Sequence, residues 1–406
     1  MAIHVVKEAE RCLQCKKPLC RTGCPINTSI PEFIGLFRNG NIDEAGKVLF
    51  ENNPFSIVCS IVCDHDAQCE GHCILNNKGV PINVSSIENY ISSYYFDKYD
   101  PEPVKPNGMK AAIIGGGPAG ITVALLLATK GYYVTIFESR EKLGGVLRYG
   151  IPEFRLPHTI LDKYKDKLTK LGVHIRPNAV IGRTLNIDDL FADGYDSVFL
   201  GTGVWRPKRL NIPGETLGHV HFAINYLLSP DEIDHGENVV VIGAGNSAMD
   251  VARTAIRKGA KHVYLMCRKP KSRAAVREVE YAVADGVEFM YGAAPTAITE
   301  DGVIYRQATF DAEGNTVSTE EGLFRSADCV ILAVSQGLLH RVINGSEGIS
   351  VDEWDTLSVD EKGQTSREGI FAAGDVSTGA ATVVEAVRDA KVAADSMDKY
   401  MQSLKK

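Results

Sequence analysis

The sequence predicts an α/β protein in which a cysteine-rich helical segment precedes two glycine-turned βαβ folds, the second inserted in the first. Three observations predict it. Eight of the ten cysteines fall between Cys12 and Cys73, in a stretch of helical pattern. Two copies of a strand, a glycine turn, a helix and a second strand follow, from about residue 109 and from about residue 237. A third strand–turn–helix pattern, residues 367–394, returns to complete the first of these folds.

Composition narrows the classes. A chain of 406 residues has room for two or three domains. Its apolar fraction of 44% and charged fraction of 23% are ordinary for a globular protein, and a net charge of −7 argues against a nucleic-acid partner. No apolar run approaches the ~18 residues of a membrane span; "ITVALLLA" at 121–128 is among the longest. The start, "MAIHVVKEAER", has no apolar leader. A cytoplasmic chain with reduced thiols is therefore expected, which weakens a disulfide reading of the cysteines and favours metal.

The helical segment opens on "RCLQCKKPLCRTGCP", with two, four and three residues between its cysteines. A zinc knuckle, a disulfide staple and an iron–sulfur cradle can each be written this way. The second group is "CSIVCDHDAQCEGHC": Cys59, Cys63, Cys69 and Cys73. Between them "TSIPEFIGLFRNGNIDEAGKVLF" reads as helix, with a Thr28/Ser29 cap, Pro31 near its start, and Ile34, Leu36 and Phe37 on one side. "YDPEPVKPNG" is the linker that ends this first domain, residues 1–107.

"MKAAIIGGGPAGITVALLLATKGYYVTIFE" is a dinucleotide fingerprint in its proper context. Gly115 makes the tight turn, Gly117 admits a pyrophosphate to backbone N–H groups, and Gly120 permits close helix–strand packing. Glu138 ends the second strand, where a carboxylate can take ribose hydroxyls. The second copy, "ENVVVIGAGNSAMDVARTAIRKGAKHVYLMCRK", repeats the pattern with Gly243, Gly245 and Ala248 but ends in Arg268 and Lys269, with Arg273 just beyond. Cations there attract a 2′-phosphate that a carboxylate would repel. FAD in the first Rossmann-like fold and NADP(H) in the second follow; a solvated surface pair is the plain alternative for Arg268 and Lys269. In the returning segment, Gly374 and Asp375 form a turn whose carboxylate can bind a ribityl hydroxyl, ahead of a helix N-terminus. The FAD-binding domain is then 108–235 plus 340–406, with the NADP(H)-binding domain, 236–339, entered through "YLLSPDEIDHGE".

At this point the residues carry a resemblance. "CxxCxxxxCxxxCP", "NPFSIVCSIVCDHDAQCEGHC", "GGGPAG", "GGVLRYGIPEFRLP", "GAGNSAMD" and "AAGD…TGAATVVEA" occur in an order similar to that of the bacterial glutamate synthase small subunits and the matching N-terminal half of dihydropyrimidine dehydrogenase. The similarity spans essentially the whole chain. It implies an FAD- and iron–sulfur-containing NAD(P)H oxidoreductase with two [4Fe-4S] clusters and interleaved ligands. Cys12, Cys15, Cys20 and Cys73 would hold one cluster; Cys24, Cys63, Cys69 and the oxygen donor Glu88 would hold the other. The competing view makes Glu88 a surface residue of its helix.

The resemblance further implies an FAD set of Gly115, Gly117, Pro118, Ala119, Gly120, Glu138, Ser139, Gly145, Val146, Arg155, Val180, Ile181, Gly374, Asp375, Ala381, Thr382 and Val383. The NADP set is Gly243, Ala244, Gly245, Asn246, Ser247, Arg268, Lys269, Arg273, Ala333, Val334 and Ser335. Cys59 is expected to be a buried thiol, and His65 and His72 to be solvated loop residues. Asp64 stands where such proteins usually have proline.

No catalytic side chain is expected, because the cofactors carry the chemistry. Electrons would pass from NADPH through FAD and the clusters to a second protein subunit bearing the terminal substrate, in a hetero-oligomer without membrane or nucleic acid. Two variants of that reading use the same module: the NADP-binding subunit of an electron-bifurcating NADP/ferredoxin complex, and the NAD(P)H part of a dihydropyrimidine dehydrogenase. A thioredoxin-reductase-like enzyme would need a redox CxxC in the nicotinamide domain, which offers only Cys267 and Cys329.

Overall fold

A computed structural model describes residues 4–405. The chain forms two compact units. One comprises the residues up to Arg148, Glu153–Val204 and those from Gly337 on; the other comprises Tyr149–Pro152 and Trp205–Gln336.

The first unit begins with the cysteine-bearing helices: Val5–Glu10, Leu19–Thr22, Ile30–Arg38, Ile42–Asn52, Ser56–Val62 and Val84–Lys98. Ser29 precedes the helix Ile30–Arg38, but its side chain makes no cap bond. Thr28 instead donates its hydroxyl to Asn52 Oδ1, 2.8 Å away. The apolar stripe of that helix is Ile30, Phe33 and Ile34, fully buried, while Leu36 and Phe37 reach the same core only in part. Cys69 lies within this core, and Cys12, Cys20 and Cys73 pack at its edge.

The same unit contains a five-stranded parallel sheet in the order Ile370–Ala372, Ser197–Leu200, Lys110–Ile114, Tyr133–Phe137, His174–Arg176. The last of these strands in sequence pairs with Ser197–Leu200, so the first fold is built from two distant pieces of chain. The helix Pro118–Ala128 is buried almost all round because strands and the helix Val383–Ser403 cover it.

The proline-rich stretch 99–108 carries no helix or strand, yet it does not separate two bodies. The polar-looking helix His158–Lys170 docks the cysteine helices directly. Its Tyr164 stacks on Phe55 at 4.5 Å, meets Phe96 at 4.5 Å and donates to the Pro54 carbonyl at 2.6 Å. Lys167 bonds the Tyr99 carbonyl and lies 4.7 Å over the Phe96 ring.

In the second unit the parallel sheet runs Val220–Phe222, Cys329–Leu332, Asn238–Ile242, His262–Cys267, Glu288–Tyr291. An antiparallel meander, Ala293–Thr299, Gly302–Phe310 and Thr316–Ser326, joins it. Residues 205–235, assigned from the sequence to the first fold, lie in this unit. The reason is the strand Val220–Phe222, which pairs in register with Cys329–Leu332 as the sheet's edge. Among the described residues no helix is long and apolar enough to cross a membrane.

Candidate functional site

The first glycine turn is closed by its own acid. Glu138 Oε2 accepts the Gly116 N–H at 2.7 Å, and Oε1 accepts that of Arg140 at 2.8 Å. This ties the end of the second strand to the turn between Lys110–Ile114 and Pro118–Ala128. Gly115 has φ +101°, and a Cβ on it would lie 2.5 Å from the Gly201 carbonyl oxygen. On Gly120 a Cβ would lie 1.9 Å from the Gly115 oxygen, so only glycine allows helix and turn to meet. Gly117 differs, since its nearest neighbour would be Gly145 Cα at 3.8 Å. The space in front of Gly117 is open, at the head of a helix beginning Pro118, Ala119. Such a cradle fits a pyrophosphate.

Around this turn the structure brings together most of the other FAD candidates. Gly144 N donates to the Gly116 carbonyl, placing Gly145 and Val146 beside the turn. Ala179 N bonds the Glu138 carbonyl, which sets Val180 and Ile181 at the end of the second strand; Ser139 follows Glu138 directly and donates to it at 3.2 Å. A Cβ on Gly374, at φ +77°, would lie 3.2 Å from Ala119 Cβ, so this turn runs close to the head of Pro118–Ala128. Thr382 caps the helix Val383–Ser403 through a reciprocal pair with Glu385. Arg155 is half-buried.

Burial pushes the Asp375 carboxyl up to about 6; the Ala381 amide, donating at 3.3 Å, opposes this and Glu385 adds to it. The folded value lies above the unfolded one, so this group's stabilising contribution is present below about pH 4 and lost as pH rises through about 6. In flavin-free protein, Asp375→Asn should therefore gain thermal stability relative to wild type as pH rises from about 4 to about 6, with the difference levelling off above. A difference in Tm that stays flat with pH would refute this.

The second glycine turn, in the other unit, has the same construction with other chemistry. Gly243 is at φ +139°, where a Cβ would meet the Ala333 oxygen at 2.3 Å. A Cβ on Gly245 would meet nothing within 4 Å, so here too there is room before the helix Asn246–Arg257. Ala333 N bonds Ile242 O, and Ser335 holds φ +83°, so Ala333, Val334 and Ser335 pass beside the turn. From the other side Ser272 Oγ and the amides of Arg273 and Ala274 bond the Ala244 carbonyl, and Ala275 N bonds Asn246 Oδ1. Ser247 is exposed, as are Arg268, Lys269 and Arg273, and none of these three cations is ion-paired among the described residues. Cys267 and Cys329 are buried on strands that flank Asn238–Ile242, so they do not form a redox pair.

The cysteines gather in two sets. Cys12, Cys15, Cys20 and Cys73 line one pocket with Leu13, Lys17 and Leu19. Gly23 lets the two cysteine runs approach: a Cβ there would lie 2.5 Å from the His72 ring. Burial pushes the Cys20 thiol up to about 12, and Cys73, Cys12 and Cys15 add to the shift. Such thiols become thiolates together only around a cationic centre.

The second set lies deeper. Cys63 is raised well above its ordinary range by a bond with Cys59, by burial, and by Cys59, Glu88 and Cys69 as charges. Cys69 is raised by burial, then by Glu88, Glu70 and Cys24. Glu88 is only 8% exposed, which removes its reading as a surface residue; burial and then Glu70 push its carboxyl to about 8. The donors Cys24, Cys63, Cys69 and Glu88 are thus neighbours, as a cluster site needs. Among the described residues no three donors converge tightly enough for a single metal ion. Cluster ligands each take a separate iron, so they need no common centre.

Cys59 is buried, at 2% exposure. His65 is buried as well, against expectation: Asp64 opens a tight turn that folds the Glu70 and Gly71 amides onto the His65 carbonyl. His72 is exposed and bonds Gln68 O. Sequence reasoning missed Glu70, buried beside this set and accepting the Ser85 amide at 2.8 Å; its place between Cys69 and Cys73 was the available signal.

Comparison with known proteins gives matches over nearly all of the chain. Residues 109–390 match the pyridine nucleotide-disulphide oxidoreductase family, and residues 2–99 the family described as dihydropyrimidine dehydrogenase domain II, 4Fe-4S cluster. The glutamate synthase [NADPH] small chain of Azospirillum brasilense is 33% identical over 98% of this chain and 89% of its own, and that of Escherichia coli K12 is 32% identical over 97% and 91%. The NADP(+)-dependent formate dehydrogenase subunit beta of Moorella thermoacetica is 33% identical over 94% of this chain and 60% of its own. Among solved structures, Mycobacterium tuberculosis FprA in complex with NADPH superposes with a TM-score of 0.60 at 19% identity, over 74% of this chain and 86% of that one. Lactococcus lactis thioredoxin reductase gives 0.57 at 21%, over 73% and 99%. At these identities the structural likeness establishes the fold.

Proposed function

The chain belongs to the glutamate synthase small-chain family, and from that premise we propose that it passes electrons from NADPH to a partner subunit that carries the terminal substrate. It is an NADPH-dependent flavin and iron–sulfur oxidoreductase of that type. FAD and 4Fe-4S clusters, when bound, supply hydride acceptance and single-electron transfer.

The side chains and backbone do the holding. The amides at the head of Pro118–Ala128 would bind the FAD pyrophosphate, and those at the head of Asn246–Arg257 that of NADP(H). Glu138 keeps the first turn in shape and offers its remaining lone pairs to a ribose. Asp375 would accept a ribityl hydroxyl. Cys12, Cys15, Cys20 and Cys73 would ligate one cluster, and Cys24, Cys63, Cys69 and Glu88 a second. The partner would complete a hetero-oligomer in the cytoplasm.

The observation that carries this reading is the pairing of unlike ends on two like turns: a buried carboxylate at Glu138, and unpaired exposed cations at Arg268, Lys269 and Arg273. One charge-assisted contact to a 2′-phosphate contributes about 1.5–3 kcal/mol, roughly tenfold to more than a hundredfold in affinity. Arg268→Ala should raise the KM for NADPH within that range and leave NADH nearly unchanged. Wild-type protein that prefers NADH would reduce the trio to a solvated face.

A second reading reverses the flow, delivering electrons to NADP+ from a partner's substrate. It is supported by the similarity to the Moorella subunit, whose name gives that direction for that protein.

A further inference from the structure

The first set of cysteines opens on an apolar stretch of surface. Leu13, Leu19, Ile74 and Val80 are between 44% and 66% exposed, and three of them line the same pocket as Cys12, Cys15, Cys20 and Cys73. Val80 is held beside them by Arg11, which donates to its carbonyl at 2.8 Å. The chain as a whole carries a net charge of −7, yet the stretches 11–24 and 71–83 contain no Asp or Glu. They contribute Lys16, Lys17, Arg21 and Lys78, all exposed, with Lys17 lining the pocket itself. Lys16, Lys17 and Lys78 are in no ion pair among the described residues. Glu32, exposed beside the pocket-lining Pro31, is the acid next to this lining, so the rim is predominantly basic. An apolar centre with such a rim is the layout of a protein-docking face, and electron-transfer encounters need only a small one.

We infer that this face receives a redox protein, or a redox subunit's surface, that has an apolar centre and an acidic rim. The inference rests on the proposed transfer to a partner and adds where that partner docks and what its surface carries. The second donor set is deeper in the helical core, with Cys69 and Glu88 buried, so the first set marks the side on which a partner sits. Opposite charge steers the encounter, and salt screens it.

The test uses the cluster-loaded, FAD-loaded protein and two probes: an acidic plant-type [2Fe-2S] ferredoxin and the basic protein cytochrome c. Wild type should bind the ferredoxin at low salt, more weakly as salt rises, and bind cytochrome c less well. Lys16→Glu combined with Lys17→Glu should raise the Kd for ferredoxin about tenfold or more and improve cytochrome c binding, with iron and flavin content unchanged. Leu19→Gln should weaken ferredoxin binding without altering its salt slope. Unchanged Kd in the charge-reversed protein would overturn the docking face while leaving transfer to a partner intact. Wild-type protein that reduces a small quinone with NADPH but passes no electron through the bound ferredoxin to cytochrome c as final acceptor would overturn that transfer, and the face with it.

Discussion

Protein carrying Cys20→Ala, purified without oxygen, should hold about four irons per chain where the unaltered protein holds about eight. Cys24→Ala should lose a similar amount, although the two residues lie only four apart in sequence. The structure gives the reason. Cys20 shares its pocket with Cys12, Cys15 and Cys73, whereas Cys24 feels Cys69, which in turn lies beside Glu88 and near Cys63. The short helix Leu19–Thr22 turns the chain between them, so each thiol faces a different set. The two variants should therefore lose different EPR signals and keep one flavin each, because the first glycine turn shares no side chain with either set. Loss of the same signal from both variants would contradict the division into two sets. Stoichiometric zinc in the unaltered protein, without broad visible absorption, would contradict iron–sulfur ligation altogether.

The second large effect separates folding from binding within one motif. Gly245→Ala should fold normally, retain FAD and lose NADPH affinity by roughly tenfold to more than a hundredfold, the cost of one or two lost charge-assisted amide contacts. Its Cβ meets no protein atom within 4 Å, so the only thing it can obstruct is what binds in that space. Gly120→Ala should behave in the opposite way. Its Cβ would lie 1.9 Å from the Gly115 oxygen, which forces the helix away from the turn and should yield destabilised, flavin-poor protein. Equilibrium NADPH binding, FAD content and thermal melts distinguish the two outcomes. Full NADPH affinity in Gly245→Ala would show that the nucleotide does not approach this turn.

Much of this architecture was legible because glycine and cysteine are read by position. Gly115 and Gly243 take positive φ at fixed offsets from Gly120 and Ala248, and no other residue type would fill those places comfortably. The cysteine groups were legible as ligand sets only with the help of the resemblance, since spacing alone left zinc and disulfides open. What escaped was built from long-range pairing. Val220–Phe222 is three residues long, too short for a periodic signal, and its membership of the second sheet is decided by Cys329–Leu332, more than a hundred residues later. His65 reads as a loop histidine until the Asp64 turn closes around it. In "HTILDKYKDKLTK" the spacing of Leu161, Tyr164 and Leu168 marks one buried face, but nothing local announces that Lys167 is buried with it or that the cysteine helices cover it.

That last helix has a consequence for how such a protein can be inherited or engineered. Tyr164 and Lys167 belong to the flavin fold, but the groups they satisfy, Phe55, Phe96 and the carbonyls of Pro54 and Tyr99, belong to the cysteine helices. Grafted alone onto an unrelated reductase, the amino-terminal hundred residues would turn two rings and two carbonyls out to water. The iron–sulfur segment is therefore no detachable cartridge on a proline hinge; a fusion that moves it should keep its fold only when the helix that receives it moves too.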